Sequence, residues 1–262
     1  MLNWTWYGNA TVKIDDGSHS VLFDPFFTRN PALPPLTLDD IRPCSAIAIT
    51  HGHFDHAGDL PKIAADYDGP IFVPLETFAN LCRLLHPYEG KLRPVTPGDK
   101  TALGALMLTP YAAEHIVIDK PLIATTLAKA FGRNQRAYLN RLPSLLKENV
   151  QFPVGRCLGW MIERENLRVI NFGSLAIDPK ETYPADLNVA SLPFQGNSKI
   201  EEKALEVVEA LKPKKVLLHH YDDAFPPISS SVPTDRFAAL MAERWPNVPV
   251  VVGAYRQPVV IV

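Results

Sequence analysis

Residues 46–59 read Ala46-Ile47-Ala48-Ile49-Thr50-His51-Gly52-His53-Phe54-Asp55-His56-Ala57-Gly58-Asp59. The first four form a short apolar run bounded by turn-prone residues, the pattern of a buried strand that ends at Thr50. Three imidazoles and a carboxylate follow within six residues, at the carboxyl end of that strand, where open α/β layers place their chemistry. One histidine at a strand end is ordinarily a hydrogen-bonded core or surface residue. Four potential ligands in His-x-His-x-Asp-His order are a far more specific signal. Alternate side chains of an extended chain share a face, so His51 and His53 can grip one ion. Asp55 and His56 then face a second ion a few ångströms on, as in two-metal sites. Imidazole with carboxylate suits Zn²⁺, as one or two ions, with Mn²⁺, Fe²⁺ or Ni²⁺ as alternatives.

The motif and its place after a strand resemble the signature of the metallo-β-lactamase-fold hydrolases. The segments Gly8-Asn9-Ala10-Thr11-Val12 and Val21-Leu22-Phe23-Asp24-Pro25 are similar to the amino-terminal hairpin of the branch that includes ascorbate-6-phosphate lactonase. The resemblance implies an α/β fold, a four-layer αββα sandwich with metals at one edge. It implies that His115, just past a strand, joins His51 and His53 around a first ion, and that His220 joins Asp55 and His56 around a second. Asp55 would also orient the nucleophile, and Asp24 would stand behind the ligands with Thr50. Where the family carries Gly-Asp, with a carboxylate bridging both ions, this chain has Gly173-Ser174. A neutral hydroxyl is the poorer ligand, so the second ion should bind more weakly or lean on another anion. Asp178 is a candidate replacement; its plainer role is a helix N-cap before Pro179. His219 points the other way from His220 along an extended chain and reads as a packed or supporting residue. Tyr221 is a candidate substrate contact.

Composition narrows the class. The chain has 262 residues, 47% of them hydrophobic, enough for a sizeable core, and a formal charge of −2 that argues against a broad nucleic-acid footprint. Cys44, Cys82 and Cys157 are odd in number and lack paired spacing, so they read as small hydrophobes in a reducing compartment. The start Met1-Leu2-Asn3-Trp4 lacks a basic region and a long apolar stretch, and no run approaches the ~20 apolar residues of a membrane span. The expectation is a soluble cytoplasmic protein of one domain, residues 1–262, with a small-molecule substrate; a homo-oligomer stays open.

The segment 119–152 breaks its helical spacing near Gly132 and Pro143 and reads as two inserted helices. Lys120, Lys129, Arg133, Arg136, Arg141 and Lys147 face only Asp119 and Glu148 there. A solvated face is one reading; a lid whose Arg133 and Arg136 recognise a phosphate or carboxylate is the other. The expected activity is hydrolysis by a metal-bound hydroxide of an ester, lactone or phosphoester in a small substrate, an anionic one under the lid reading. The competing readings are a phosphodiesterase or nuclease, a phospholipase-like enzyme, and a catalytically silent metal-binding module.

Overall fold

A computed structural model of the protein describes residues 1–130 and 139–262. Three short strands open the chain: β1 (Leu2–Trp6), β2 (Val12–Asp15) and β3 (Ser20–Phe23), an antiparallel meander. The sheet continues in parallel through β4 (Ala46–Ala48), β5 (Ile71–Pro74) and β6 (Leu92–Val95). A second sheet runs antiparallel through β7 (Thr101–Leu103), β8 (Leu106–Ala113), β9 (Cys157–Arg164) and β10 (Leu167–Phe172). It is then parallel through β11 (Val189–Pro193), β12 (Val216–His219) and β13 (Val250–Val252). The last strand, β14 (Pro258–Ile261), returns to pair with β1, so each sheet has seven strands among the described residues.

The side-chain alternation of β4 sets the layers. Ile47, and Ile49 just past the strand, point outward into a cluster with Ile41, Leu60, Ile63, Leu81 and Leu85. These come from α1 (Leu38–Ile41), α3 (Leu60–Asp66) and α4 (Leu75–Leu85); the single turn α2 (Phe54–Ala57) precedes α3. Ala46 and Ala48 point inward, where the sheets meet over Trp4, Phe23 and Trp160. On the other sheet Ile170, Phe172 and Leu218 pack outward against α7 (Ile200–Leu211) and α8 (Asp235–Arg244), while Val169, Val189 and Leu217 face the other sheet. The four-layer αββα sandwich is therefore present, each sheet burying one face on helices and the other on its partner.

Two helices, α5 (Lys120–Ala130) and α6 (Leu142–Gln151), occupy the segment expected to be helical. Part of its positive charge is spent on anchoring. Lys129 donates to Ser229 O and Ser230 Oγ and lies 3.6 Å from Asp223, and Arg141 donates to the carbonyl of Arg29. Arg133 and Arg136 lie outside the described residues. No helix starts at Asp178, where a turn closes from Glu181 N to Asp178 O. Phe225 packs with Phe26 and Phe54 in the outer core. No helix among the described residues is long and apolar enough to cross a membrane.

The end of β4 is tied to the opposite sheet. Leu158 N donates to Thr50 O at 2.8 Å, and the Trp160 indole donates to Ile49 O at 3.1 Å, its ring lying 6.3 Å from both Phe23 and Phe72. Trp160→Ala should destabilise the protein by about 3–5 kcal/mol through the cavity it leaves. Trp160→Phe, which keeps most of the ring and loses the donor, should cost only about 1–2 kcal/mol. Urea denaturation checks the order, and a Trp160→Phe variant as stable as wild type would show that the indole donor contributes nothing.

Candidate metal centre

Beyond Thr50 the chain turns into the gap between the sheets. Gly52 N donates to Val154 O at 2.8 Å, and a Cβ on Gly52 would sit 2.1 Å from Pro153 O, so only glycine lets the loop lie this close. His53 ends the extended stretch and α2 starts at once, placing Asp55 and His56 on its single turn. His115 arrives just past β8, and His220 just past β12, in a left-handed conformation with φ +54°.

These residues converge in two groups. Ligand atoms of His51, His53 and His115 lie within 4.8 Å of one another, and so do those of Asp55, His56 and His220. The groups adjoin: the rings of His51 and His56 are 3.9 Å apart between centroids. His56 Nε2 and His220 Nε2 are 3.4 and 3.5 Å from Asp55 Oδ2. Three donors about 2.1 Å from one ion at tetrahedral angles would lie about 3.4 Å from each other.

The hydrogen bonds behind the rings fix which nitrogen faces inward. Asp24 is the hub, fully buried, accepting from Thr50 N at 2.8 Å and Thr50 Oγ1 at 2.6 Å and lying 2.8 Å from His56 Nδ1. Because the Thr50 hydroxyl donates to Asp24, it accepts from His51 Nδ1, 3.0 Å away. His115 Nδ1 donates to Ile116 O at 2.8 Å. Each bond leaves the other nitrogen with its lone pair toward the group. His51 Nε2 is buried and meets no hydrogen-bond partner among the described residues. Buried polar atoms rarely stay unpaired, and a cation would answer the converging lone pairs. The residues fit a divalent metal.

Gly173 presses on the hub, since a Cβ there would fall 1.9 Å from Thr50 Oγ1 and 2.7 Å from Asp24 Oδ2. Ser174 is buried and its Oγ accepts from Ile116 N at 2.8 Å. Asp178 belongs to neither group; its Oδ1 accepts from Lys180 N at 2.8 Å. His219 is buried between the sheets, with its ring 6.4 Å from Trp4. Tyr221 is engaged away from the imidazoles, its ring 4.7 Å from Trp6 and its hydroxyl donating to Gly253 O.

Two supports lie outside the expected site residues. Asn9 reaches across to donate from Nδ2 to Asp55 O at 2.6 Å, while its backbone N–H meets Asp222, two residues past His220. Asp59, fully buried, accepts from Phe27 N at 2.8 Å and from Arg29 at 2.9 and 3.1 Å; Arg29 also reaches Glu148 of α6 at 3.3 Å. The only hint was position, one residue after the motif's Gly58. A cleft of about 600 Å³ opens beside His115, lined by Glu76, Glu114, Val154, Arg156, Cys157 and Asp178 among others.

The chain shares its sequence pattern and fold with known proteins. A family model described as the beta-lactamase superfamily domain matches residues 19–221. A UPF0173 metal-dependent hydrolase of Polynucleobacter asymbioticus is 27% identical over 230 residues, which is 83% of this chain and 73% of that protein. Among solved structures, Igni18, a metallo hydrolase from the archaeon Ignicoccus hospitalis, superposes with a TM-score of 0.64 at 20% identity, covering 98% of this chain and 97% of the other. CmlA, a diiron β-hydroxylase from Streptomyces venezuelae, does so with a TM-score of 0.61 at 14% identity, covering 98% of this chain and 54% of that one.

Burial drives the His51 and His115 pKa values down and that of His53 to about 4, from an ordinary value of 6.5. Burial also works against ionisation of Asp55, but His56 and His220 outweigh it and hold the carboxyl well below its usual range. His56 moves up, because Asp55 and Asp24 outweigh its burial. A histidine whose folded pKa is depressed favours the native state above the unfolded value, and that advantage is lost as pH falls toward the folded one. Three such rings against one of opposite sign predict that the metal-free protein loses stability between about pH 6.5 and 4. Thermal melts in chelator at pH 7.5 and 5.0 should give the lower Tm at pH 5.0; a higher one would contradict neutral packing of the rings.

Proposed function

The chain belongs to the β-lactamase superfamily and is a metal-dependent hydrolase of the metallo-β-lactamase fold, and from that premise we propose how its residues work. His51, His53 and His115 hold one divalent ion, and Asp55, His56 and His220 hold a second, with Zn²⁺ the first candidate. The observation that carries this is the meeting of two three-ligand groups drawn from separate parts of the chain. The fold does not choose the metal, since it is shared with a diiron enzyme. When bound, such an ion brings the pKa of a coordinated water to about 7 and polarises a carbonyl or phosphoryl oxygen.

The protein's share of the work is positioning. Asp24 keeps a proton on His56 Nδ1 and, through Thr50, on His51 Nδ1, so both rings offer a lone pair inward. Asp55 stays ionised and supplies the negative charge of the second group. The substrate enters by the cleft beside His115, and its reacting bond is an ester, lactone or phosphoester. A small molecule of modest charge suits the lining: Arg156 faces Glu76, Glu114 and Asp178 there, and Glu76 already takes its Nε at 3.0 Å. The anchoring of Lys129 and Arg141 also weakens readings that need a free basic surface for lipid or nucleic acid.

Metal analysis of the purified protein, with a screen of esters, lactones and phosphodiesters before and after chelation, tests this reading. Chelation should abolish hydrolysis, and Zn²⁺, Mn²⁺ or Fe²⁺ should restore it. Supporting residues typically cost 10–100-fold in metal affinity or activity, so His53→Ala should cost more than about 100-fold. A His53→Ala protein that keeps both metal and activity would refute the assignment.

A further inference from the structure

The loop after β10 runs antiparallel to the segment that carries His115. Ala113 bridges Ile177, and Glu114 N donates to Ala176 O at 3.3 Å. In that register the next hydrogen-bonded pair is Ile116 opposite Ser174. The backbone does not make it, because Ser174 O accepts instead from Ala176 N at 3.0 Å, curling the loop. The Ser174 side chain takes its place, its Oγ accepting from Ile116 N at 2.8 Å. Ile116 O in turn accepts from His115 Nδ1 at 2.8 Å. Both peptide N–H groups that flank His115 in the chain, those of Glu114 and Ile116, are therefore held by the 174–176 loop, and the peptide carbonyl that orients the ring belongs to the second.

Resting on the metal-centre reading above, we propose that Ser174 is a positioning residue for His115: its hydroxyl oxygen extends the two-segment ladder by one bond and thereby fixes the ring's Nε2 toward His51 and His53. Three features support this role. Ser174 and Ile116 are both buried, 6% exposed each, so water does not readily replace the missing acceptor. Leu175 and Ile116 lie in the same hydrophobic cluster, which holds the loops together in this register. Gly173 lets the loop pass against Thr50 and Asp24, so the strand end that presents Ser174 is set by the hub that orients His51 and His56. Among the described residues His53 makes no comparable bond through its ring, which leaves His51 and His115 as the two oriented members of their group.

The test is a Co²⁺ titration of the metal-free full chain, followed by visible absorption, for wild type, Ser174→Ala, Ser174→Thr, His115→Ala and the Ser174→Ala/His115→Ala double variant, with thermal melts of the metal-free forms as a check on folding. Ser174→Ala should weaken Co²⁺ binding at the three-histidine group by roughly tenfold and leave the second group unchanged. Ser174→Thr keeps the acceptor and should stay within about twofold of wild type, and in the His115→Ala background the serine change should have less than about twofold effect. Wild-type affinity in Ser174→Ala, or the same tenfold loss with and without His115, would overturn the positioning role while leaving the metal reading intact. A wild-type chain that binds no Co²⁺ would overturn both.

Discussion

Five imidazoles share one pocket with centroid separations from 3.9 to 5.6 Å, and that crowding constrains everything around it. Rings this close and this buried cannot all carry charge, so burial and mutual repulsion hold most of them neutral. Neutral imidazole offers one donor and one acceptor. The donors are taken outward by Asp24, Thr50 and Ile116, which turns the acceptors inward toward one another. Lone pairs converging in a largely buried pocket have few internal donors to meet them; a cation is the species that resolves them. The carboxylate of Asp55, held ionised among these rings, adds the anionic member that a divalent ion favours.

The sandwich exists to hold that arrangement against its own repulsion. Ligands come from the end of β4, the turn that follows it, the exit of β8 and the exit of β12, so both sheets contribute. Packing the sheets face to face is thus the condition for the site, and the bonds from Trp160 and Leu158 to the end of β4 set their spacing where the motif begins. A second ring of contacts fixes the loops: Asn9 joins Asp55 to Asp222, and Asp59 joins the Arg29 loop to α6 through Glu148. The helices α5 and α6 are latched to loops on both sides of the ligands, which explains why their cations are partly consumed by structure.

Much of this could be read from residues alone. The short apolar run at 46–49, bounded by turn residues, marks a buried strand, and the spacing of His51, His53, Asp55 and His56 puts four ligands in one loop. Apolar spacing over 200–211 is that of an amphipathic helix, and α7 buries Ile200, Ala204, Leu205, Val207, Val208 and Leu211 there. His115 and His220 needed the resemblance as well, because a histidine past a strand is common. Other features were out of reach for physical reasons. The Arg29–Asp59–Glu148 link spans 119 residues of sequence, and nothing local distinguishes a buried Asp59 from a solvated one. Tyr221 follows a ligand in sequence, yet its ring turns to Trp6 because side chains alternate along the chain. Phe225 is apolar and near the site in sequence, and the outer core claims it. Short elements such as α2, β7 and β14 fall below what periodicity resolves, since three or four residues hold barely one period.

The account depends on a divalent cation seated among these side chains. Crystals of the protein grown with Zn²⁺ or Mn²⁺ and measured at the metal's absorption edge test that most directly. An anomalous peak about 2.1 Å from nitrogens of His51, His53 and His115, with a second near Asp55, His56 and His220, is the predicted result. Imidazoles in the same positions with no anomalous peak between them, at a metal concentration that saturates related hydrolases, would contradict it.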